Sequence, residues 1–296
     1  MSKFVLMSDM HLRFDRPVCR TDDYVQAQTN KLKYVRDYIF KNIIQYVLHG
    51  GDLFDYWKAS PELINYAMQN LPHQVITAAG QHDLPQHSMD LIGKSGIGVL
   101  RESDYIYMGA VNHEQKTLNC NIQVVNFGGT VPTCIERTKE PHILIIHKFL
   151  WDTKTPFSDA QSNAEAFLRK HDCFDLILSG DNHTPFVLQD GHRLLVNPGS
   201  MMRMESSQKD YEPGFYVWDS ETFELEFCAF PIDKEAVTDI HIITKEQKDQ
   251  RIEEFTNKLQ YNFEGNLSFE KNMQSFLAAN PQDANITNNI NKIMGA

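Results

Sequence analysis

Short apolar runs recur along the first two thirds of the chain, most of them ending in glycine or in polar residues, and helical periodicity fills several of the gaps between them. Lys3 to Ser8 reads as a buried first strand. Asp22 and Asp23 stand where a helix cap belongs, and Val25, Leu32, Val35 and Ile39 recur at helical spacing between Tyr24 and Lys41. A strand over Ile43 to Leu48 closes a β-α-β unit, and a helix over Pro61 to Leu71 leads into a third strand, Gln74 to Ala78. From Met89 onward the pattern shortens to a helix through Lys94 and strands at Tyr105 to Met108 and Ile122 to Phe127, joined by turns. That change predicts a second sheet packed on the first. His142 to Ile146 and Phe174 to Leu178 are further strands, separated by a helix from Asn163 to Lys170. Two hairpins follow, Pro185 to Leu188 with Arg193 to Val196, and Gly214 to Asp219 with Phe223 to Phe230. Beyond Pro231 the composition shifts: Ile240 to Ile243 predicts a short strand, Glu246 to Leu259 and Phe269 to Ala278 predict helices, and the Asn-rich stretch Asn280 to Asn291 predicts a loosely ordered tail. No internal repeat is present.

With 296 residues, 42% of them hydrophobic, the chain can bury a large α/β core plus an appendage. The apolar start, Phe4 to Met7, is too short for a signal peptide, and no run approaches the ~18 residues of a membrane span, so the expectation is a cytoplasmic protein without membrane contact. Five cysteines (Cys19, Cys120, Cys134, Cys173, Cys228) lack any CxxC spacing and read as reduced, idle thiols. The net charge of -11 argues against phosphate-rich partners until its distribution is considered. Residues 201–296 hold 9 Lys and Arg against 17 Asp and Glu, whereas residues 1–200 hold 19 against 22, so the acidity belongs to the C-terminal part.

The polar residues at the strand ends carry the chemistry. Asp9 and His11 follow the first strand, Asp52 and Asp55 the second, and Gln81, His82 and Asp83 the third; His147 follows the strand His142 to Ile146, and Asp181 with His183 the strand Phe174 to Leu178. In an open α/β sheet the C-terminal strand ends line one edge, which is where sites form. Carboxylate, imidazole and amide groups without cysteine suit manganese, iron, magnesium or zinc, and seven candidate ligands exceed one coordination sphere. Asp52, on a central strand, is the natural residue to be shared by two ions. Arg13, Arg16 and Arg20 form a basic loop nearby that would suit a phosphate substrate. His49, His73, His87 and His192 read as structural, with His87 the nearest of them to a substrate role, and His113 and His142 read as surface or helix-end residues.

In order and spacing these residues resemble the calcineurin-like metallophosphoesterases: Asp9-x-His11, Gly51-Asp52-x-x-Asp55, Gly80-Gln81-His82-Asp83, the lone His147 and Gly180-Asp181-Asn182-His183, closed by Asn197-Pro198-Gly199-Ser200. Within that superfamily the Gly-Asp-Leu-Phe-Asp and Gly-Asp-Asn-His-Thr-Pro-Phe runs and the C-terminal segment are most similar to SbcD-type double-strand-break-repair nuclease subunits. The resemblance implies a four-layer α-β-β-α sandwich over residues 1–230, with a short, mainly helical segment, 231–296, for capping or partner contact. It implies two divalent ions, manganese or alternatively magnesium, and attack of a two-metal hydroxide on phosphorus. Asp9, His11 and His183 would hold the first ion, Gln81, His147 and Asp181 the second, and Asp52 would bridge them. His82 would be the catalytic histidine, oriented by Asp83 and Asp55. The implied partners are DNA and an ATPase subunit of the SbcC type, and a homodimer is compatible with the pattern. Gln81 stands where the family has Asn and Asp181 where it has His, which implies a harder, more anionic second position. A small-molecule phosphodiesterase or phosphatase, and a degenerate scaffold that has lost its metals, are the alternative readings on the same fold.

Overall fold

Phe4 and Leu6 point to one side of the first strand and Val5 and Met7 to the other, and all four are buried. In the computed structural model, which describes residues 3–109, 120–132, 138–153, 162–240 and 269–294, that alternation separates two cores. Strands β1 (Lys3–Met7), β2 (Tyr46–His49), β3 (Val75–Thr77) and β4 (Ile106–Tyr107) run parallel. With β10 (Gly214–Asp219) and β11 (Leu225–Ala229) they form a sheet ordered β11-β10-β1-β2-β3-β4. The second sheet is ordered β5-β6-β7-β9-β8, from β5 (Asn121–Val125), β6 (His142–His147), β7 (Leu176–Gly180), β8 (Phe186–Asp190) and β9 (Arg193–Asn197). Phe4, Leu6, Leu48 and Ile76 from one sheet meet Ile143, Ile145, Leu176 and Leu178 from the other. Val5, Met7 and Val47 face helices α1 (Tyr24–Asn42), α2 (Pro61–Asn70) and α3 (Gly96–Glu102). Leu144, Ile146 and Ile177 face α4 (Ala164–Lys170). The result is the expected four-layer α-β-β-α sandwich, in which each buried Ile or Leu contributes about 1.5–3 kcal/mol.

Local chemistry accounts for the boundaries. Asp23, Ser60 and Asn163 each accept a backbone N–H as helix caps. Helix α1 runs further than its sequence suggests. Ile43, expected to open a strand, instead ends the helix in a left-handed conformation (φ 55°) with its side chain 91% exposed, while Ile44 N–H reaches back to Ile39 O. The stretch Met89–Lys94 is a 3-10 helix. Helix α3, which the sequence pattern did not predict, is capped by Ser95; its glycines obscure the periodicity of the buried Ile97 and Leu100. His142 is not a surface residue: it opens β6, is buried, and its N–H donates to Asp175 Oδ2.

The chain divides into compact units of Met1–Thr238 and Asp239–Ala296. Residues beyond Pro231 stay with the first unit as far as Thr238, whose N–H donates to Cys19 O, next to an Arg20–Val237 bridge. In the second unit the described residues form α5 (Phe269–Ala279) and α6 (Ala284–Met294). The loosely ordered tail expected over Asn280 to Asn291 is therefore mostly helical. Asp283 caps α6 by accepting Asn285 N–H, and Ile286, Ile290 and Ile293 give it an apolar stripe at helical spacing that the asparagines mask. The remainder of the predicted Ile240–Ile243 strand, the Glu246–Leu259 helix and His113 lie outside the described residues. Cys19, Cys120 and Cys228 are free, but Cys173 is disulfide-bonded, so the expectation of idle thiols fails there. No helix among the described residues is long and apolar enough to cross a membrane.

Candidate metal centre

The parallel strands end together, and past their ends the backbone turns left-handed. Asp9 (φ 49°), His11 (φ 44°), Asp52 (φ 54°) and Asp181 (φ 79°) all lie in the region that costs an ordinary L-residue about 1–2 kcal/mol. The ladder nevertheless continues through the turn: Asp9 N–H donates to Gly51 O, His11 N–H to Asp52 O and Leu12 N–H to Leu53 O. The two sheets touch at Gly50 and Gly180, where a Cβ on Gly180 would lie 2.5 Å from Gly50 O. Glycine there lets side chains from both sheets reach one point.

Asp9, His11, Asp52 and His147 form a buried floor, and Gln81, His82, Asp181 and His183 form its rim, with His82 exposed. Candidate ligand atoms of Asp9, His11 and His183 lie within 4.8 Å of one another, as do those of Asp9, Asp52 and His147. The Nε2 atoms of His11 and His183 are 3.1 Å apart. Asp52 Oδ2 sits between the two groups, 3.8 Å from His11 Nε2 and 3.3 Å from His147 Nε2. Gln81 joins the second group, its Oε1 being 2.7 Å from His147 Nε2 and its Nε2 donating to Asp181 Oδ1. Six of the seven residues predicted as ligands thus lie together, and Asp181 adjoins them through the Gln81 amide.

A divalent cation fits this arrangement. Asp9 Oδ2 and Asp52 Oδ2 are buried without a hydrogen bond, a costly condition that a cation removes. His147 Nδ1 donates to Gly50 O, so its Nε2 faces Asp52 and Gln81 oxygens, and some positive charge must sit among them. Without metal that charge is a proton: burial disfavours the imidazolium, but the Asp52 carboxylate, with Asp9 and Asp181 behind it, overrides burial and raises the His147 pKa to about 10. Burial likewise pushes Asp52 up, yet His147 and His11 hold it down at about 2, while burial raises Asp9. His147 is raised on folding, so the stability it adds is complete below 6.5 and is lost as pH climbs through about 10. An ion must displace that proton. Metal affinity is therefore expected to rise roughly tenfold per pH unit over that window, with about one proton released per ion at this position. Calorimetric titrations in buffers of different ionisation enthalpy measure both, and an affinity that is flat from pH 6.5 to 9 would refute the exchange.

The residues around His82 divide their work differently from the expectation. His82 N–H donates to Asp52 Oδ1 at 2.9 Å, and its ring Nδ1 donates to the backbone carbonyl of Asp55 at 2.7 Å. The Asp55 carboxylate turns instead to Arg13 Nη1 (2.9 Å) and His11 Nδ1 (3.4 Å). Asp83 is fully buried and accepts the N–H groups of Leu53, Phe54 and Gly80, tying the loop after β2 to the loop after β3. Of the basic loop, Arg13 is held by Asp15 and Asp55, and Arg20 is buried against Asp22. Among the lone histidines, His49 is buried, with burial lowering its pKa to about 3, and His192 pairs with Asp175. His87 is exposed, its ring 5.9 Å from that of Phe127. Sequence reasoning missed the Gly50 carbonyl and the contact of Asn197 Nδ2 with Asn182 O, which steadies the loop bearing Asp181 and His183. The Asn-Pro-Gly-Ser run was the available signal for the second.

No curated protein sequence matches the chain. Among solved structures it is similar to a novel archaeal phosphodiesterase, at 15% identity over 77% of this chain and 99% of that one, with a TM-score of 0.44. It is also similar to TT1561 of Thermus thermophilus (11% identity, 77% and 98% covered, TM-score 0.46) and to zinc-complexed Vps29 of Entamoeba histolytica (14%, 78% and 99%, TM-score 0.38). The family model for the calcineurin-like phosphoesterase superfamily domain matches residues 2–222. That span begins at the first strand, takes in every strand tip described above and ends beyond β10, and on it the chain belongs to the calcineurin-like phosphoesterase superfamily.

Proposed function

We propose that this chain is a metal-dependent phosphodiesterase acting on DNA, an SbcD-like nuclease subunit that works with manganese and with an ATPase partner of the SbcC type. The observation that carries the hydrolytic reading is a buried floor with orphaned carboxylate oxygens beneath an exposed, backbone-anchored His82. The sequence motifs, which resemble those of SbcD-type nucleases, point to DNA as the substrate. Divalent ions bound on the floor supply Lewis-acid activation of water and of the phosphoryl group. Asp9, His11, His183 and Asp52 would hold one, and Asp52, His147 and Gln81 the other. His82, with Nδ1–H fixed on Asp55 O, presents Nε2 to solvent; as imidazolium it delivers that proton to the leaving oxygen and becomes neutral without changing its anchor.

One observation favours the alternative of a small-molecule or nucleotide phosphodiesterase: Arg13 and Arg20, two of the three arginines of the basic loop after β1, are already engaged by carboxylates. A manganese-supplemented assay on double- and single-stranded DNA, run beside nucleotide esters and bis(p-nitrophenyl) phosphate, separates the two. DNA cleavage is expected to fall on the order of 10²-fold in His82→Ala. Ester hydrolysis without DNA cleavage, with or without the ATPase, supports the alternative. No turnover of any substrate would leave only the degenerate scaffold.

A further inference from the structure

Gln81 and Asp181 are the two positions at which this chain departs from the pattern of its superfamily, and they touch each other. Gln81 Nε2 donates to Asp181 Oδ1 at 2.7 Å, while Gln81 Oε1 lies 2.7 Å from His147 Nε2. The two ends of an amide have nearly the same shape, so its orientation is decided by what its neighbours can accept. An ionised carboxylate only accepts, and the NH2 end must therefore face Asp181. The oxygen end is then turned inward. His147 has its Nδ1–H on Gly50 O, so the inward-facing atoms are the Gln81 oxygen, the Asp52 Oδ2 oxygen 3.3 Å from His147 Nε2, and that nitrogen itself. Three lone-pair donors converge there.

Asp181 stands outside this convergence. Among the described residues, the groups of acid and imidazole atoms close enough to share an ion are Asp9 with His11 and His183, His11 with Asp55 and His82, and Asp9 with Asp52 and His147; Asp181 joins none of them. Its Oδ1 is occupied by the amide, and its backbone N–H donates to Asp9 Oδ1 at 3.1 Å. Gln is one methylene longer than Asn, and the extra reach lets one amide from the first sheet touch both His147 and the Asp181 carboxylate on the second.

We propose that Asp181 is a positioning residue: it holds the Gln81 amide with its oxygen toward the second ion, whose ligands from this chain are Asp52, His147 and Gln81. This inference rests on the metal-dependent reading of the site and deepens it. The Asp181 carboxylate does the work of an orienting hydrogen-bond acceptor where the superfamily pattern has an imidazole. The second position consequently has one imidazole and two oxygens, a hard set that suits manganese or magnesium better than zinc.

Calorimetric titration of the metal-free full-length chain with Mn²⁺, with the ion pair followed by electron paramagnetic resonance, tests the assignment. The unaltered protein is expected to take two ions. Asp181→Asn keeps an amide oxygen that can accept from Gln81, and its second-ion affinity is expected within about 3-fold of the original. Asp181→Ala leaves the amide free to turn and is expected to weaken the second ion by ~10–100-fold while still taking two at saturation. His147→Ala and Gln81→Ala, which remove ligands, are expected to take one. Loss of the second ion in Asp181→Asn to the extent seen in His147→Ala would show that the carboxylate itself is a ligand and would overturn the proposal. So would an unchanged second-ion affinity in Asp181→Ala, or a single ion in the unaltered protein. Should Asp181→Ala fail to fold, the comparison of Asp181→Asn with His147→Ala decides. Two-ion loading that follows this order, in a protein that cleaves no DNA, would sink the nuclease reading and leave the role of Asp181 standing.

Discussion

Gly80→Ala is expected to lower kcat/KM for phosphodiester hydrolysis on the order of 10³-fold, as much as Asp52→Ala, although it removes no functional atom. A Cβ on Gly80 would lie 2.0 Å from Asp52 Oδ1, 2.5 Å from its Cγ and 2.6 Å from its backbone nitrogen. Rotating the Asp52 side chain relieves the first two contacts and leaves the third, so the loop after β3 must move away from the loop after β2. A displacement of about 1 Å costs ~100-fold when it misplaces reacting groups. Here it also breaks the bond from His82 N–H to Asp52 Oδ1, so the shared carboxylate and the proton donor lose register together. Steady-state hydrolysis of bis(p-nitrophenyl) phosphate gives the rate, and near-UV circular dichroism establishes that the variant is folded. Retention of more than a tenth of the original kcat/KM would show that the site tolerates the shift.

The largest stability effect is expected at Asp83. Asp83→Ala strands three buried N–H groups, those of Leu53, Phe54 and Gly80, each costing about 1–3 kcal/mol. Part of this is recovered because the carboxylate is itself expensive to bury: desolvation, and then the charge of Asp52, raise its pKa to about 6 despite the three donors. A net loss of about 3 kcal/mol is expected, against about 1–2 kcal/mol for Asp83→Asn, which keeps one accepting oxygen. The carboxyl pKa is higher in the folded chain than its ordinary 3.8, so the contribution of this group is most favourable below 3.8 and declines as pH rises to about 6. Urea midpoints between pH 4 and 7 should show that decline in the original protein and its absence in Asp83→Asn. Equal stability of Asp83→Ala and the original protein would mean that water satisfies all three donors.

Much of the architecture is visible in the sequence because burial on both faces leaves a plain mark. A strand with Phe4 and Leu6 in one core and Val5 and Met7 in another has no polar side, and it reads as a continuous apolar run. The misreadings have local causes. Ile43 is a β-branched residue in a left-handed helix cap, a place where a strand former is not expected; the asparagines of α6 conceal its isoleucine stripe. The candidate ligands are legible because Asp, His and Gln recur just past strand ends. What holds them is less so. The Gly50 and Asp55 carbonyls are main-chain groups with no residue type to announce them. The resemblance implies that Asp83 orients His82, but the Asp83 carboxylate is taken up by the N–H groups of Leu53, Phe54 and Gly80.

His11 and His183 come within 3.1 Å of each other across 172 positions of chain, and the whole cluster needs everything from Asp9 to His183. The cation therefore cannot act as a seed for folding, as it does where all ligands lie within a single finger. Both sheets must form and dock before the last imidazole arrives. On a ribosome the first third of the chain would emerge with Asp9, His11, Asp52 and Gln81 but without their partners on the second sheet, and ion capture becomes a late event. Metal uptake, followed during refolding, then serves as a clock for the closing of the sandwich.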